Sequence, residues 1–229
     1  VSLAMNAGLD MDMCDGLYDN NLEQLVNDGT VSMERLDDAV RRVLRVKFSL
    51  GLFDNPYTEI KDDTERILLE ESKKVAEQAA SESMVLLENR NGTLPLKHDA
   101  RIALVGPLVY SPVDLMGSWS ARGKGGDVVG IEEAMRAEFG NVVAVAKGCD
   151  FDGTDRSGFD AALAAARKAD VVVLCLGEKR GWSGENASRS TIALPQIQEE
   201  LLEYLLKAGK PVVTVLCNGR SLDLSRIAP

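Results

Sequence analysis

An α/β fold built on a parallel sheet is what this sequence predicts, and three observations predict it. From residue 100 onward, short apolar runs alternate with longer amphipathic stretches, ILV- and V-rich pieces against segments carrying spaced charges. Such alternation signals strand–helix–strand crossovers, and therefore parallel strands. One run, VVVLCL at 171–176, is apolar without a break and β-branched at its start, as a strand covered on both faces must be. The region before residue 58 lacks such runs and shows helical periodicity instead.

In chain order, the segment LEQLV at 22–26 reads as a short helix capped by Asn20 or Asn21 and closed by Gly29. Ser32 caps a longer helix, with Glu34 in its first turn and Gly51 just past its end. Leu36, Val40, Val43, Leu44 and Phe48 recur at spacings of three and four and so form one apolar face. Arg41, Arg42, Arg45 and Lys47 fill the later turns, where the helix dipole favours cations. DNPY at 54–57 breaks the regular structure. Thr64 caps a helix to about Ser83, with Ile67, Leu68, Val75 and Ala79 on one side. MVLL at 84–87 either ends that helix or forms a strand, Asn91-Gly92 marks a turn, and Pro95 opens a new region. Strands are expected at 102–105, 142–145, 171–176 and 212–216, separated by helices near 130–139, 158–169 and 196–208. Pro195 announces the last helix from a first-turn position. The chain opens within a pattern, VSLAMNAG, without an initiator methionine, and closes directly after a strand and its exit loop. Both ends are therefore expected to be cut and the sheet incomplete.

Composition narrows the function classes. With 229 residues, 45% hydrophobic and 27% charged, the chain has an ordinary globular profile. A net charge of −10 argues against a nucleic-acid or anionic-membrane surface. The longest apolar runs fall far short of the roughly twenty residues that cross a bilayer as a helix. Cys14, Cys149, Cys175 and Cys217 are dispersed without C-x-x-C spacing, which argues against a disulfide framework or a zinc site. Cys175 and Cys217 stand within strand patterns, as small buried hydrophobes do. His98 is the only histidine and lies in a polar lead-in, PLKHDA, where it reads as solvated. One histidine supports neither a His-rich metal site nor a Ser-His-Asp triad.

The 177–194 segment, GEKRGWSGENASRSTIAL, is the most informative. It leaves the carboxyl end of the 171–176 run, where ligands sit in open α/β sheets, and it is longer than a crossover needs. Its inventory suits a sugar: Glu178 and Glu185 for proton transfer, Trp182 for stacking, Arg180 and Arg189 as donors to hydroxyls. Glu178 directly follows the strand and is expected to cap nearby backbone or pair with Arg180. Glu185, between Gly184 and Asn186, has no evident structural duty. A second strand-exit loop, GSWSARGKG at 117–125, imitates a phosphate-binding loop but misplaces its second glycine and has Gly125 where Ser or Thr would bind magnesium. The first βα turn, VGPL, has proline in place of the dinucleotide-binding glycines. Trp119, set among Gly, Ser and Arg, reads as ligand-facing, and Trp182 less so. The residues alone leave two readings: an enzyme acting on carbohydrate, or a non-catalytic small-ligand-binding or scaffold domain.

A further set of motifs bears on that choice. AGLDMDM at 7–13, VNDG at 26–29 and AVRRVLRVKFSLGLFDNPY at 39–57 resemble the end of the barrel domain of glycoside hydrolase family three. ESMVLLEN at 82–89 and LPL at 94–96 resemble that family's linker and the entry to its second domain. VGP at 105–107, MGSWS at 116–120, GE at 177–178, SGENASR at 183–189, LPxxQ at 194–198 and NGR at 218–220 continue the resemblance over essentially the whole chain, nearest to the bacterial β-glucosidase branch. The resemblance implies the helical end of a (β/α)8-type barrel over 1–57, a linker with a helix over 58–93, and a parallel-rich α/β sandwich over 94–229. It implies retaining hydrolysis, with Glu185 as general acid/base and an aspartate nucleophile upstream of Val1. It further implies sugar contacts from Trp119, Ser118, Met13, Trp182 and Arg189, with Glu178 supporting. No metal or cofactor is implied. The expected partners are a carbohydrate substrate and the remaining part of the same polypeptide, with no nucleic acid and no membrane; a homo-oligomer is allowed. The resemblance leans towards a periplasmic or secreted location, and it predicts that this chain alone is inactive.

Overall fold

The computed structural model describes residues 1–59 and 64–227, with side chains described from residue 69 onward in the second stretch. The cap expected at Thr64 and the packing of Ile67 and Leu68 thus lie outside the described residues. Two compact units are present, Val1–Val85 and Leu86–Pro229.

The first unit is helical: α1 (Ser2–Asn6), α2 (Leu17–Asn27), α3 (Met33–Ser49) and α4 (Thr64–Ser83). α2 starts a turn earlier than its asparagines predict, with Gly16 at the N-cap. The cap comes from upstream, where the Asp12 carboxylate accepts from the backbone N–H of Leu17 at 2.7 Å and of Tyr18 at 3.2 Å. Those backbone donors, Tyr18 foremost, hold the Asp12 carboxyl below its ordinary range. Asn20 and Asn21 lie inside the helix and donate back to Gly16 and Leu17 carbonyls. At α3 the capping expectation matches, since Ser32 Oγ accepts from the Arg35 N–H at 3.1 Å.

Met5, Val31 and Ala39 form the small core of this unit, with Tyr18, Leu22, Leu25 and Leu36 packed on it. Only the start of the apolar face of α3 is covered, because α1 and α2 reach no further. Val40, Leu44 and Phe48 remain exposed on this unit, and the Phe48 ring lies 4.3 Å from that of Phe53. Val75 and Ala79 on α4 are likewise exposed. MVLL at 84–87 is neither helix nor strand and is exposed: it leaves α4 after Ser83, and no described strand pairs with it.

The second unit is the predicted α/β fold. Its strands are β1 (Ile102–Val105), β2 (Val142–Ala146), β3 (Val171–Gly177) and β4 (Val212–Cys217), all parallel, in the order β2-β1-β3-β4. Between them run the short α5 (Pro112–Leu115), α6 (Ile131–Phe139), α7 (Phe159–Lys168) and α8 (Gln196–Leu206). Pro195 is the cap residue of α8 and not part of its first turn. The continuous apolar run in β3 resolves into two faces, as the pleat requires. Val172, Leu174 and Leu176 join Ala162 and Ala166 of α7 and Leu201 and Leu205 of α8. Val171, Val173 and Cys175 join Leu108, Val109 and Phe151 on the other side, where Ile131 and Met135 of α6 also pack. Each fully buried leucine contributes about 1.5–3 kcal/mol relative to exposure. Burial raises the Cys175 thiol to about 12, in keeping with an inert core side chain.

One surface pair ties the bottom of the sheet together. Asp170, just before β3, accepts from Arg101 Nη2 at 2.6 Å, Nε at 3.1 Å and the backbone N–H at 3.0 Å. Hydrogen bonding from the Arg101 side chain is the main reason its carboxyl titrates at about 2. A depressed carboxyl pKa stabilises the fold above the unfolded value of about 3.9 and ceases to do so as pH falls towards the folded value. Urea unfolding should therefore show Asp170→Asn less stable than the unaltered protein at neutral pH. The gap should close between about pH 4 and pH 2; a gap constant with pH would contradict this assignment.

From β1 the chain crosses to β2 on one side and later returns to place β3 on the other, so the crossover direction reverses between β1 and β3. The exits of these two strands flank that switch point, the place where open α/β sheets bind ligands. The loop bearing Trp119 leaves β1, and the loop bearing Glu185 leaves β3.

Candidate functional site

The site is built from the base of the β3 exit loop upward. At Gly177 the backbone adopts φ 148°, and a Cβ there would fall onto the carbonyl of Cys217 on β4. Only glycine permits the two strands this close as the loop departs. Glu178 comes next, its N–H donating to the Cys217 carbonyl at 2.9 Å and its side chain turned inward, with the residue 5% exposed. One carboxylate oxygen accepts from Arg189 Nη1 at 3.2 Å. The other accepts from Arg220 Nε and the Gly219 N–H, both at 3.2 Å. A buried carboxylate between two guanidiniums has both oxygens engaged and its charge compensated, which makes burial tolerable.

Of the two expectations for Glu178, a backbone contact is met at the Gly219 N–H, whereas pairing with Arg180 is corrected to pairing with Arg189 and Arg220. Glu178 points towards the exit of β4, which supplies Gly219 and Arg220, whereas the Arg180 backbone N–H donates to Asp114 Oδ1 at 2.7 Å. Glu178 thus ties both ends of its own loop, residues 178 and 189, to the turn after β4.

Trp182 is the middle of a stack. Its ring meets Phe151 edge-on at 6.4 Å and 77°, with the Arg189 guanidinium 4.3 Å and the Lys179 ammonium 5.3 Å from its ring centre. Its carbonyl accepts from Arg220 Nη2. Trp182 is partly buried against the core cluster that contains Val173 and Cys175. Both Trp182 and Arg189 are therefore engaged by protein groups. Lys179 also reaches Asp152 at 2.9 Å, which links this loop to the one after β2.

At the apex, residues far apart in sequence come together. Gly184 has φ 98°, and a Cβ there would come within 2.7 Å of the Ser118 Cβ and 3.8 Å of the Trp119 ring. Ser118 and Ser183 hydroxyls are 3.4 Å apart. The MGSWS loop thus lies against the residue preceding Glu185. Trp119 is 75% exposed and Glu185 is exposed too, with no hydrogen-bonding partner for its side chain among the described residues. The two adjoining loops thus present an exposed indole, able to stack, and an exposed carboxyl group, able to transfer a proton.

Met13 belongs to the first unit, where it is 86% exposed in the segment between α1 and α2. His98 is exposed, with its ring 5.6 Å from that of Phe139. Among the described residues, no group of His, Cys, Asp and Glu has the arrangement of a metal site, and no helix is long and apolar enough to cross a membrane. Residue reasoning missed Arg220, Gly219 and Asp114 as parts of the loop's support. Beyond the NGR motif nothing local marks them: Arg220 and Gly219 lie 42 and 41 positions from Glu178, and Asp114 lies 66 from Arg180.

Comparison with known proteins shows the family. Residues 84–229 match the model of the glycosyl hydrolase family 3 C-terminal domain. The chain is 39% identical to the periplasmic β-glucosidase of Salmonella typhimurium, over 98% of this chain and 33% of that protein. It is 32% identical to a β-xylosidase of Formosa agariphila, over 99% of this chain and 33% of that one. The crystal structure of a β-glucosidase from Listeria innocua in complex with glucose matches with a TM-score of 0.87 at 41% identity, over 99% of this chain and 31% of that one. The class is that of glycosyl hydrolase α/β domains, preceded here by a helical unit. The chain belongs to glycosyl hydrolase family 3. It spans about a third of the length of the curated relatives it matches.

Proposed function

We propose that this chain is part of a longer retaining β-glycosidase that releases β-linked glucose, or a related sugar, from the non-reducing end of oligosaccharides or glucosides. In this reading residues 1–57 are the helical end of a (β/α)8-type barrel, 58–93 a linker, and 94–229 the α/β sandwich. Glu185 is the general acid/base, and an aspartate elsewhere in the polypeptide is the nucleophile. Trp119 and Ser118 form one wall of the sugar site. Arg189 and Trp182 border the sugar and hold the loop, and Glu178 supports them. The names of the Salmonella and Listeria relatives favour glucose as the sugar, and that of the Salmonella relative favours a periplasmic or secreted location.

The observation that supports this reading is the packing of Gly184, the residue before Glu185, against Ser118 and Trp119, which brings the two strand-exit loops together at the switch point. Retaining hydrolysis needs two carboxyl groups about 5–5.5 Å apart, one to attack the anomeric carbon and one to protonate the departing oxygen and then deprotonate water. A carboxyl at the tip of a well-anchored loop suits the second role, because it must be held in place and still meet a second surface. No metal or cofactor takes part in these steps.

The test is to express the complete polypeptide and this chain side by side and assay aryl β-glucosides and aryl β-xylosides. The complete enzyme should turn over the glucoside faster, and the chain alone should be inactive for want of the nucleophile. Activity of the chain alone would overturn the shared-site reading. A complete polypeptide that binds glucose but cleaves neither substrate would instead make this a binding or scaffold domain.

A further inference from the structure

Gln198 is completely buried, and its amide spends every contact on backbone. Its Oε1 accepts from the Gly177 N–H at 2.9 Å, and its Nε2 donates to the Gly177 carbonyl at 2.9 Å and to the Phe151 carbonyl at 2.7 Å. The side chain therefore pairs with Gly177 as a neighbouring peptide group would, at the residue where β3 ends and the Glu178–Arg189 loop begins. Its third bond holds Phe151, whose ring props Trp182, on which Arg189 stacks. A buried glutamine with no other duty would need only to satisfy its own amide. This one joins, from α8, the root of one active-site loop and the support of that loop's aromatic.

We propose that Gln198 is a positioning residue for proton transfer by Glu185. The proposal rests on the glycosidase reading above. Glu185 is held at three levels: the apex by Ser118 against Gly184, the middle by Glu178 with Arg189 and Arg220, and the root by Gln198. The root governs the direction in which the loop leaves the sheet, so an error there is carried outward to the carboxyl group. Misplacement of about 1 Å costs a catalytic group on the order of 10²-fold.

Two variants of the complete enzyme test this. In Gln198→Leu the two carbonyls and the Gly177 N–H lose their partner. In Gln198→Glu the ionised side chain can still accept from the Gly177 N–H but turns an oxygen towards both carbonyls. Protonation restores one donor, so this variant alone should recover activity as pH falls through the titration of the new carboxyl. Both should lose about 10²-fold in kcat at neutral pH, with KM changed little, because the defect lies in the transition state. Hydrogen–deuterium exchange across 177–189 should quicken in Gln198→Leu.

A purely structural role would lower kcat only in proportion to the folded fraction, leaving kcat per folded molecule equal to the parent's in both variants at every pH, and would overturn the proposal. So would unchanged exchange at the loop, or unchanged kcat in folded variants. Should the unaltered enzyme cleave no β-glycoside, the glycosidase reading fails, while the exchange measurement still decides whether Gln198 holds the loop.

Discussion

Replacing Glu185 with Ala in the complete enzyme is expected to slow cleavage of a β-glucoside with a poor leaving group by about 10²–10⁴-fold, the usual contribution of a positioned acid or base. The loss depends on the substrate. An activated leaving group departs without a proton, so kcat/KM for such a substrate should fall much less. Hydrolysis of the glycosyl-enzyme still needs a base, so the intermediate should accumulate and show as a burst before slow turnover. The variant should fold as the parent does, because Glu185 is exposed and its side chain has no hydrogen-bonding partner among the described residues. Parallel rate measurements on the two substrate types, with the melting temperature as a control, check all three expectations. An equal loss on both substrates would assign Glu185 to binding rather than proton transfer.

The second large effect is on stability. Glu178 has a side chain only 3% exposed and holds two guanidiniums, those of Arg189 and Arg220, whose side chains are 16% and 24% exposed. In Glu178→Ala these cations stay partly buried without their counter-charge, and Gly219 loses its acceptor. Removing one partner of a buried pair costs about 3–5 kcal/mol. That is a large share of the 5–15 kcal/mol that stabilises a typical domain. Glu178→Gln keeps one acceptor oxygen and the shape, and should lose less. Urea unfolding of the three proteins checks the order. Equal stability of the alanine variant and the parent would show that the network contributes nothing net.

The difference between these two glutamates was partly legible in the sequence. Both lie in one loop, and the resemblance to a known family singled out Glu185. Their environments could not be read, because what buries Glu178 is the turn after β4, some forty residues on. The parallel sheet, by contrast, was legible almost to the residue. A continuous β-branched run such as 171–176 has few alternatives once helices flank it. The expected strand ends were short by a residue at Ala146, Gly177 and Cys217, positions fixed by pairing with a neighbouring strand and not by local pattern.

Where the sequence misled, tertiary partners were the reason. Asn20 and Asn21 are good cap residues, yet Asp12 reaches the α2 terminus first. The face of α3 has the periodicity of a buried helix, but only its first turns meet α1 and α2. Trp182 read as less ligand-facing than Trp119, and its contacts with Phe151 and Arg189 could not be read from the loop's composition. Gln198 appeared only as a motif letter, and its three backbone partners emerge only in the folded structure.

In the proposed function Glu185 moves protons while a carboxylate from outside this chain attacks the sugar. Supplying azide to the Glu185→Ala enzyme with an activated aryl β-glucoside, and determining the product's anomeric configuration by NMR, tests that division of roles directly. Azide needs no base and would enter the glycosyl-enzyme from the face that water uses. A faster turnover yielding β-glucosyl azide is the predicted result, because two successive inversions restore the starting configuration. An α-configured azide would make Glu185 the nucleophile, and the absence of any azide product would remove it from the chemistry.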